Sequence, residues 1–266
     1  MGNKPTEKQS GIVSTAERYK TVVKANELIQ KTRFSLSTQQ QKMILYLISQ
    51  IDKYDEEFKM YEFKIAEFCR ICGIEAKGDN YNSLKEQIKK ISDKSLWITL
   101  ENGEDALVRW IENPHMSKKS GIIKIRLNED MKPYLLHLKE KFTEYELIYT
   151  LMFKSRYSIR LYEYLKSIHY NKLKSYQTTI DIDEFQKLID SPYNNFKDFH
   201  TRVLKPAFKE INEYSDILFN YKLVAKGRKT THIIIKIETK EVMSRIRTSL
   251  HNELLLDKRK GEINDE

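Results

Sequence analysis

The chain has 266 residues, 40% of them hydrophobic, so it is long enough for two domains that each bury a core. Lysine and arginine exceed aspartate and glutamate by 47 to 38, and the net charge of +9 favours a polyanionic partner, nucleic acid before an acidic membrane surface. Two cysteines exclude a disulfide framework, and the lack of a long apolar run or a signal-peptide pattern predicts a cytoplasmic protein.

The first half of the chain predicts helices followed by β-structure. From apolar residues at helical or alternating spacing we predict, in chain order, a helical segment at 24–32, a helix at 37–52, a strand at 59–63, helices at 65–72 and 80–95, and two β-rich segments at 96–112 and 121–127. Gly73 is expected to end the helix before it, and Asn102-Gly103 predicts a hairpin turn.

The second half predicts the same order of elements. They are a long amphipathic helix at 143–168, a strand at 176–180, a helix at 181–189 capped by Asp181 or Asp183, a proline-bearing helix at 195–212, and strands at 216–225 and 232–238. The charged tail at 240–266 has Val242, Ile246, Leu250 and Leu254 at near-helical spacing, which is compatible with a short amphipathic helix.

Short matches between the halves indicate an internal duplication. "YNSLK" from Tyr81 and "YNNFK" from Tyr193 are 112 positions apart, as are the two copies of "IIKI" that begin at Ile122 and Ile234. Helix, strand, helix, helix and hairpin is the order of a winged helix. We therefore predict an α+β fold of two tandem winged-helix domains, at 22–128 and 129–239, between a flexible N-terminal segment at 1–21 and the tail.

Two hairpin segments carry basic residues and no acidic ones. They are Asn113–Arg126 and Tyr221–Lys236, which occupy equivalent places in the two halves. Basic hairpin tips suit contacts with phosphate or the minor groove. The candidate contacts are Lys118, Lys119, Lys226, Arg228 and Lys229. Ordinary solvated turns remain the alternative.

The proline-bearing helix presents two apolar stripes, one on either side of Pro206. They are displaced from each other by roughly a quarter turn, so a straight helix would not bury both against one flat surface. We expect Pro206 to supply a bend and to begin a new helical segment, where its missing N–H does no harm. The residues left to contact DNA are Lys197, His200, Thr201, Arg202, Lys205 and Lys209. The alternative is a kinked core helix with a solvated basic face.

The equivalent helix of the first half exposes a more lysine-rich face. Its candidate DNA contacts are Asn82, Lys85, Lys89 and Lys90. Because lysine more often holds phosphate whereas arginine and asparagine read base edges, the first copy is expected to supply backbone affinity and the second copy sequence reading.

The residue patterns of several enzyme classes are missing. The six histidines contain no His-x-His pair, which a DNA-nicking metal site would need, and the glycines Gly73 and Gly78 are followed by Asp79-Asn80 and not by the Lys-Ser/Thr of a P-loop. Cys69 and Cys72 lack the further ligands of a zinc site and are interpreted as core residues. We expect no catalytic activity, no cofactor and no metal.

Three segments resemble plasmid replication initiators of the iteron-binding Rep family. The matching residues are Asn26, Leu28, Leu36 and Lys42 in the first segment, Ser158, Arg160, Tyr162, Glu163 and Leu165 in the second, and Val203, Leu204, Pro206, Ala207, Glu210 and Ile211 in the third. The resemblance spans about residues 23–239.

The resemblance implies tandem winged-helix domains that bind direct repeats in double-stranded DNA at a plasmid origin and recruit host replication proteins such as a helicase or initiator. It also implies a homodimer, joined through the first domain, that represses its own gene. Two alternatives stay open at this stage: a winged-helix transcription repressor, and an interaction scaffold that binds proteins and not DNA.

Overall fold

The structure is a computed structural model that describes residues 16–74, 80–99, 102–169 and 174–264, with side chains described up to residue 257. The chain divides by its internal contacts into two compact units. The first unit comprises Met1–Val23, Gln39–His137 and Glu144–Leu151, and the second comprises Lys24–Thr38, Leu138–Thr143 and Met152–Glu266. Most of the segment predicted as flexible, residues 1–15, lies outside the described residues.

The first unit contains a winged helix with one added hairpin. Strand β1 (Thr21–Ala25) and helix α1 (Asn26–Lys31), which belongs to the second unit, come first in the chain. The first unit continues with α2 (Thr38–Ile48), β2 (Tyr61–Lys64), α3 (Ile65–Cys72), α4 (Asn80–Ser92), β3 (Ser95–Thr99), β4 (Asp105–Arg109), β5 (Ile111–Ser117) and β6 (Ile122–Leu127). Strands β2, β6 and β5 form an antiparallel sheet in that order, and β3 pairs with β4 alone. Gly73 ends α3 with φ +66°, as predicted.

The predicted long helix at 143–168 is wrong. The structure has strand β7 (Phe142–Glu146), which pairs with β1, and two helices, α6 (Leu147–Met152) and α7 (Arg156–Ile168), after a 3₁₀ turn at Glu129–Met131 and a short helix α5 (Lys132–Leu135). Thr143 and Tyr145 are buried on either side of the exposed Glu144, which is strand periodicity. Ser155 has extended backbone, and its side chain accepts from the N–H of Tyr157, so a new helix begins there.

The second unit repeats the winged helix. Its elements are β8 (Ser175–Asp181), α8 (Ile182–Leu188), α9 (Phe196–Phe199), a π-helical segment (His200–Leu204), α10 (Lys205–Tyr214), β9 (Ile217–Lys226), β10 (Lys229–Thr239) and α11 (Val242–Asn264). Strands β8, β10 and β9 form an antiparallel sheet in the same arrangement as β2, β6 and β5, and the repeated "IIKI" lies in the two central strands, β6 and β10. The α+β fold of two tandem winged helices is confirmed.

Residues 24–38 pack within the second unit, so the compact units are divided at other points than the predicted domains at 22–128 and 129–239. The Nζ of Lys24 lies 2.8 Å from Glu163 Oε1, with each side chain only 2% exposed. Arg160, one helical turn before Glu163, donates to the carbonyl oxygen of Thr32 at 3.1 Å. These buried contacts hold β1 and the residue that follows α1 against α7.

The tail forms the long helix α11 and not a short one. Its inner side is fixed where Asn252 Nδ2 donates to the carbonyl of Tyr214 at 2.8 Å. The predicted apolar residues Val242, Ile246 and Leu250 are exposed on its other side. Among the residues that the structure describes, no helix is long and apolar enough to cross a membrane.

Candidate nucleic-acid interface

The candidate reading helix is one continuous helical run from Phe196 to Tyr214. The Asn195 side chain caps its start, since its Oδ1 accepts from the N–H of Asp198 at 2.8 Å. In the π-helical segment the N–H of Lys205 bonds to the carbonyl of His200, five residues back. Pro206 follows in the first turn of α10, so the predicted placement of the proline at the start of a new α-helical segment is confirmed.

The π turn aligns the two apolar stripes, where the sequence analysis expected a bend at Pro206. In an unbroken α-helix, Phe199 and Ile211 would differ by about 120° around the axis. A π turn advances the chain by roughly 80–85° per residue, because each hydrogen bond spans one more residue. Five such residues remove most of the difference, and Phe199, Val203, Ala207 and Ile211 are all fully buried on one face.

The opposite face is basic and exposed. The exposed side chains are those of Lys197, Thr201, Arg202, Lys205 and Lys209. Arg202 is partly oriented by its neighbours: its Nε lies 3.3 Å from Asp198 Oδ1, and its guanidinium lies 5.9 Å from the ring centre of Tyr193. The segment from 197 to 205 therefore presents a preformed row of donors with an arginine near its centre.

His200 differs from the other candidate contacts because it is half-buried and has a partner within the protein. Its Nε2 lies 3.0 Å from the hydroxyl of Tyr221 on β9, and its ring stacks on Phe196 with centroids 5.6 Å apart. Burial, and then the nearby charge of Lys205, lower the pKa of His200. Both effects disfavour the charged imidazole that would pair with a phosphate.

The hairpin of β9 and β10 places its basic residues at the tip. Lys226 and Lys229 are direct cross-strand partners, and the loop between them is Gly227, with φ +62°, and Arg228. All four residues are exposed, and Lys229 has one exposed carboxylate, Asp183, at 3.7 Å. Like charges opposite each other destabilise a hairpin. Three positive side chains on one tip form a surface that suits a polyanion.

In the first unit, acidic neighbours neutralise part of the predicted basic face of α4. Lys89 lies 2.8 Å from Asp93, and Lys90 lies 2.7 Å from Glu86, both one turn away on the same helix. The hydrogen bond from Lys89 to Asp93 raises the pKa of Lys89. Asn82 and Lys85 are exposed on the same helix. Since exposed pairs of this kind are weak, a phosphate can displace them.

In the hairpin of β5 and β6, two exposed lysines lie at the tip, and the exposed Lys124 lies further along β6. Lys118 and Lys119 lie in the turn, which Gly121 closes with φ +65°. Further along β6, Lys124 pairs with Glu62 of β2, and Arg126 lies 3.3 Å from Glu129. The acid-free stretch of sequence is thus partly neutralised in space by residues from other elements.

Several residues that carry the family resemblance make contacts that stabilise the fold. Glu210 accepts from the N–H groups of Lys154 and Ser155 at 3.2–3.3 Å, and Tyr162 donates to Asp216 at 2.8 Å. In the first unit, Lys42 is buried, and its Nζ donates to the carbonyl of Leu151 at 2.6 Å, near the end of α6. These residues therefore join elements of the fold to one another.

Within the described residues no group of three or more histidine, cysteine, aspartate or glutamate side chains is arranged to hold a metal ion. Cys69 and Cys72 are free and buried, as interpreted from the sequence. Burial raises the pKa of the Cys69 thiol to about 11.

Three residues that contact the candidate side chains of the reading helix were not predicted from sequence. Tyr221, Tyr193 and Asp198 each contact one of its candidate side chains. The spacing of Asp198 and Arg202, four apart on a helix, could have predicted their ion pair. No sequence pattern predicts the contact of Tyr221 with His200, because it depends on where the hairpin packs.

Comparisons with known proteins match this chain to replication initiators. A family model described as "Initiator Replication protein, WH1" matches residues 21–166, and one described as "Initiator Rep protein, WH2" matches residues 181–237. An Escherichia coli protein named Replication initiation protein is 28% identical over 242 residues, which cover 87% of this chain and 73% of that protein. An uncharacterized 27.6 kDa protein of Escherichia coli is 24% identical over 201 residues, 73% of this chain and 83% of that protein.

A solved structure shares the fold. It is a crystal structure of Pi initiator protein in complex with iteron DNA, with a TM-score of 0.66 and 20% sequence identity, and the match covers 84% of this chain and 99% of that one. The similarity extends over both winged helices.

Proposed function

Because the chain belongs to the family of initiator replication proteins, whose two models together match most of it, we propose that it starts plasmid replication by binding direct repeats in double-stranded DNA at an origin. The observation that carries this proposal is the exposed row from Lys197 to Lys205. In a winged helix this is the helix that enters a major groove.

The two units divide the work in this proposal. In the second unit, Arg202 and Thr201 read base edges while Lys197 and Lys205 hold phosphates on either side. In the first unit, Lys85, Lys118 and Lys119 supply backbone affinity. Binding uses no cofactor and no metal, and the protein is not an enzyme: its work is done by binding energy. The place of action is the cytoplasm, where the plasmid is.

Footprinting on DNA from within and upstream of the protein's own gene tests the proposal. Protected direct repeats, spaced by whole helical turns, are the expected result, since two tandem domains then occupy one face of the duplex. A single protected palindrome would favour a transcription repressor of the same fold. Absence of binding at low salt would favour a protein-interaction scaffold.

A homodimer that represses the protein's own gene is the finer part of the proposal. It is supported by the hairpin of β3 and β4, where Trp97 and Leu107 lie directly opposite each other and are 62% and 56% exposed. An exposed cross-strand apolar pair suits a second copy of the chain. Host replication proteins, such as a helicase or initiator, are the further partners that we propose.

Sedimentation of Trp97→Lys and Leu107→Lys tests the dimer. We expect both variants to be monomeric at concentrations where the wild type associates. Tyr54→Lys is the control, because Tyr54 is 77% exposed in the same unit but lies outside the hairpin. Unchanged association of the two hairpin variants would contradict this surface.

A further inference from the structure

Tyr221 lies where the β9–β10 hairpin leaves the fold. Two residues earlier on β9, Phe219 is fully buried, and Tyr221 itself is half-buried. Every residue from 222 to 229 is exposed. We call residues 222–229 the protruding hairpin. Its basic tip has no core of its own, so its direction depends on the contacts at its base.

At Tyr221, a hydrogen bond ties the base of the protruding hairpin to the π-helical segment of the reading helix, while two bonds between Asn212 and Phe219 join the later part of that helix to β9. The Tyr221 hydroxyl and His200 Nε2 are 3.0 Å apart, and the two rings meet edge to face with centroids 6.0 Å apart. Tyr221 also packs on Phe208 and Phe219, at 5.6 and 5.8 Å between centroids. The bond thus joins the first residue of the π-helical segment to the last held residue of β9.

His200 lies immediately before the candidate base-reading residues, so its hydrogen bond to Tyr221 affects their position. Thr201 and Arg202, the candidate base-reading residues, follow it directly in the π-helical segment. A π turn is a departure from regular helix that needs support from its surroundings. The stacking of His200 on Phe196 and its bond to Tyr221 supply that support from two sides.

We propose that His200 and Tyr221 are positioning residues that couple the reading helix to the protruding hairpin, so that base contacts by the helix and backbone contacts by the hairpin tip form together. This inference rests on the proposed function and adds to it the residues that set recognition geometry. His200, a candidate DNA contact from the sequence, then acts through Tyr221 and not by touching DNA.

Two variants that keep an aromatic ring at each position test the coupling. Tyr221→Phe and His200→Phe each remove the hydrogen bond and keep an aromatic ring at the position. Each should weaken binding to the specific site about three- to tenfold, the value of one neutral hydrogen bond, with no change on scrambled DNA. The double variant should lose no more than either single variant, because both remove the same bond.

Tyr176→Phe is the matched control. Tyr176 is a half-buried tyrosine of the same sheet, opposite Ile237 and away from the hairpin tip, so the loss of its hydroxyl should leave affinity unchanged. Hydroxyl-radical footprints add a readout that thermal stability does not give. At saturation, the two coupling variants should lose backbone protection by the hairpin while the base contacts of the helix persist.

The outcomes separate the inference from the function on which it rests. If Tyr221→Phe binds like the wild type while His200→Phe is weakened, His200 contacts DNA directly and the coupling is refuted. Additive losses in the double variant would refute it as well. If the wild type shows no preference for any DNA, the proposed function is refuted by the wild type alone, independently of the variants.

Discussion

Arg202 is the side chain whose removal should separate sequence recognition from general affinity. Asp198 and Tyr193 hold it at the centre of the exposed face. For Arg202→Ala we expect a loss of about 1–3 kcal/mol on the specific site, roughly 5- to 150-fold in Kd, and little change on scrambled DNA. Competition titrations measure both.

Arg247→Ala is the control for that experiment. Arg247 is an exposed arginine of α11, outside the reading helix, and the same charge is removed. An equal loss of affinity by Arg202→Ala on every DNA would show that Arg202 holds phosphate and does not read bases.

Lys24 and Glu163 give a second prediction, on stability. Burial lowers the pKa of Lys24, although Glu163 beside it acts in the opposite direction. Lys24→Met removes the ammonium group beside the buried Glu163 carboxylate, and should cost about 3–5 kcal/mol of unfolding free energy. Chemical denaturation measures this loss.

The double variant Lys24→Met/Glu163→Leu is the companion measurement. It removes both charges, and should recover most of the stability that the single variant loses. A single variant as stable as the wild type would mean that the pair is not buried in solution.

At the residue scale, local spacing predicted which side chains are exposed but not which residues they contact. The outward row from Lys197 to Lys205 was readable because its apolar neighbours fix which face is buried. The bond from His200 to Tyr221 crosses 21 positions, and the ties of Arg160 reach residues more than a hundred positions away. No local pattern encodes contacts that depend on packing.

At the scale of the helix, we predict that replacing Pro206 has only a small effect on stability. Pro206 lies in the first turn of α10, directly after the π-helical segment, whose hydrogen bonds span one more residue than those of an α-helix. Pro206→Ala should therefore destabilise the protein by only about 0.4–1 kcal/mol, through the greater freedom of the unfolded chain. Denaturant midpoints measure this change.

Lys209→Pro is the contrast, because the fifth residue of α10 needs its N–H for the helix. It should cost about 3 kcal/mol or more. If Pro206→Ala stabilised the protein, the proline would be straining the interior of a helix. That result would contradict the view that the helix accommodates Pro206 directly after the π-helical segment.

The basic tip of the β9–β10 hairpin is predicted to contribute to the salt dependence of DNA binding. Replacing Lys226, Arg228 and Lys229 by alanine should weaken specific and scrambled DNA binding alike, and reduce the slope of log affinity against log salt by about 3. Lys124→Ala is the control, since Lys124 is paired with Glu62 away from a tip. An unchanged slope in the triple variant would exclude the tip from phosphate contact.

At the element scale, the repeat and the order of helices and strands were predictable because each unit has regular hydrophobic periodicity. The region from 143 to 168 was not, for two local reasons. Strand β7 has only five residues, and the break before α7 is marked by Ser155 alone. The π turn also escaped prediction, because the same apolar residues are compatible with a bend.

For the whole molecule, the duplication predicted two winged helices, but the periodicity of a segment does not tell which unit it packs against. Residues 24–38 precede the first winged helix in sequence and belong by their contacts to the second unit. The net charge of +9 indicated a polyanionic partner, and only the structure showed that acidic neighbours occupy part of the first unit's basic face.

Fluorescence anisotropy is the most direct test of the central claim, that this chain is a sequence-specific DNA-binding initiator. The wild-type chain is titrated with DNA from within and upstream of its own gene and with a scrambled control, at 50 and at 200 mM salt. We predict a preference of about 10³-fold or more for one segment, and an affinity that falls about 10³- to 10⁵-fold between the two salt concentrations. Equal and weak binding to both DNAs, with a flat salt response, would contradict the claim.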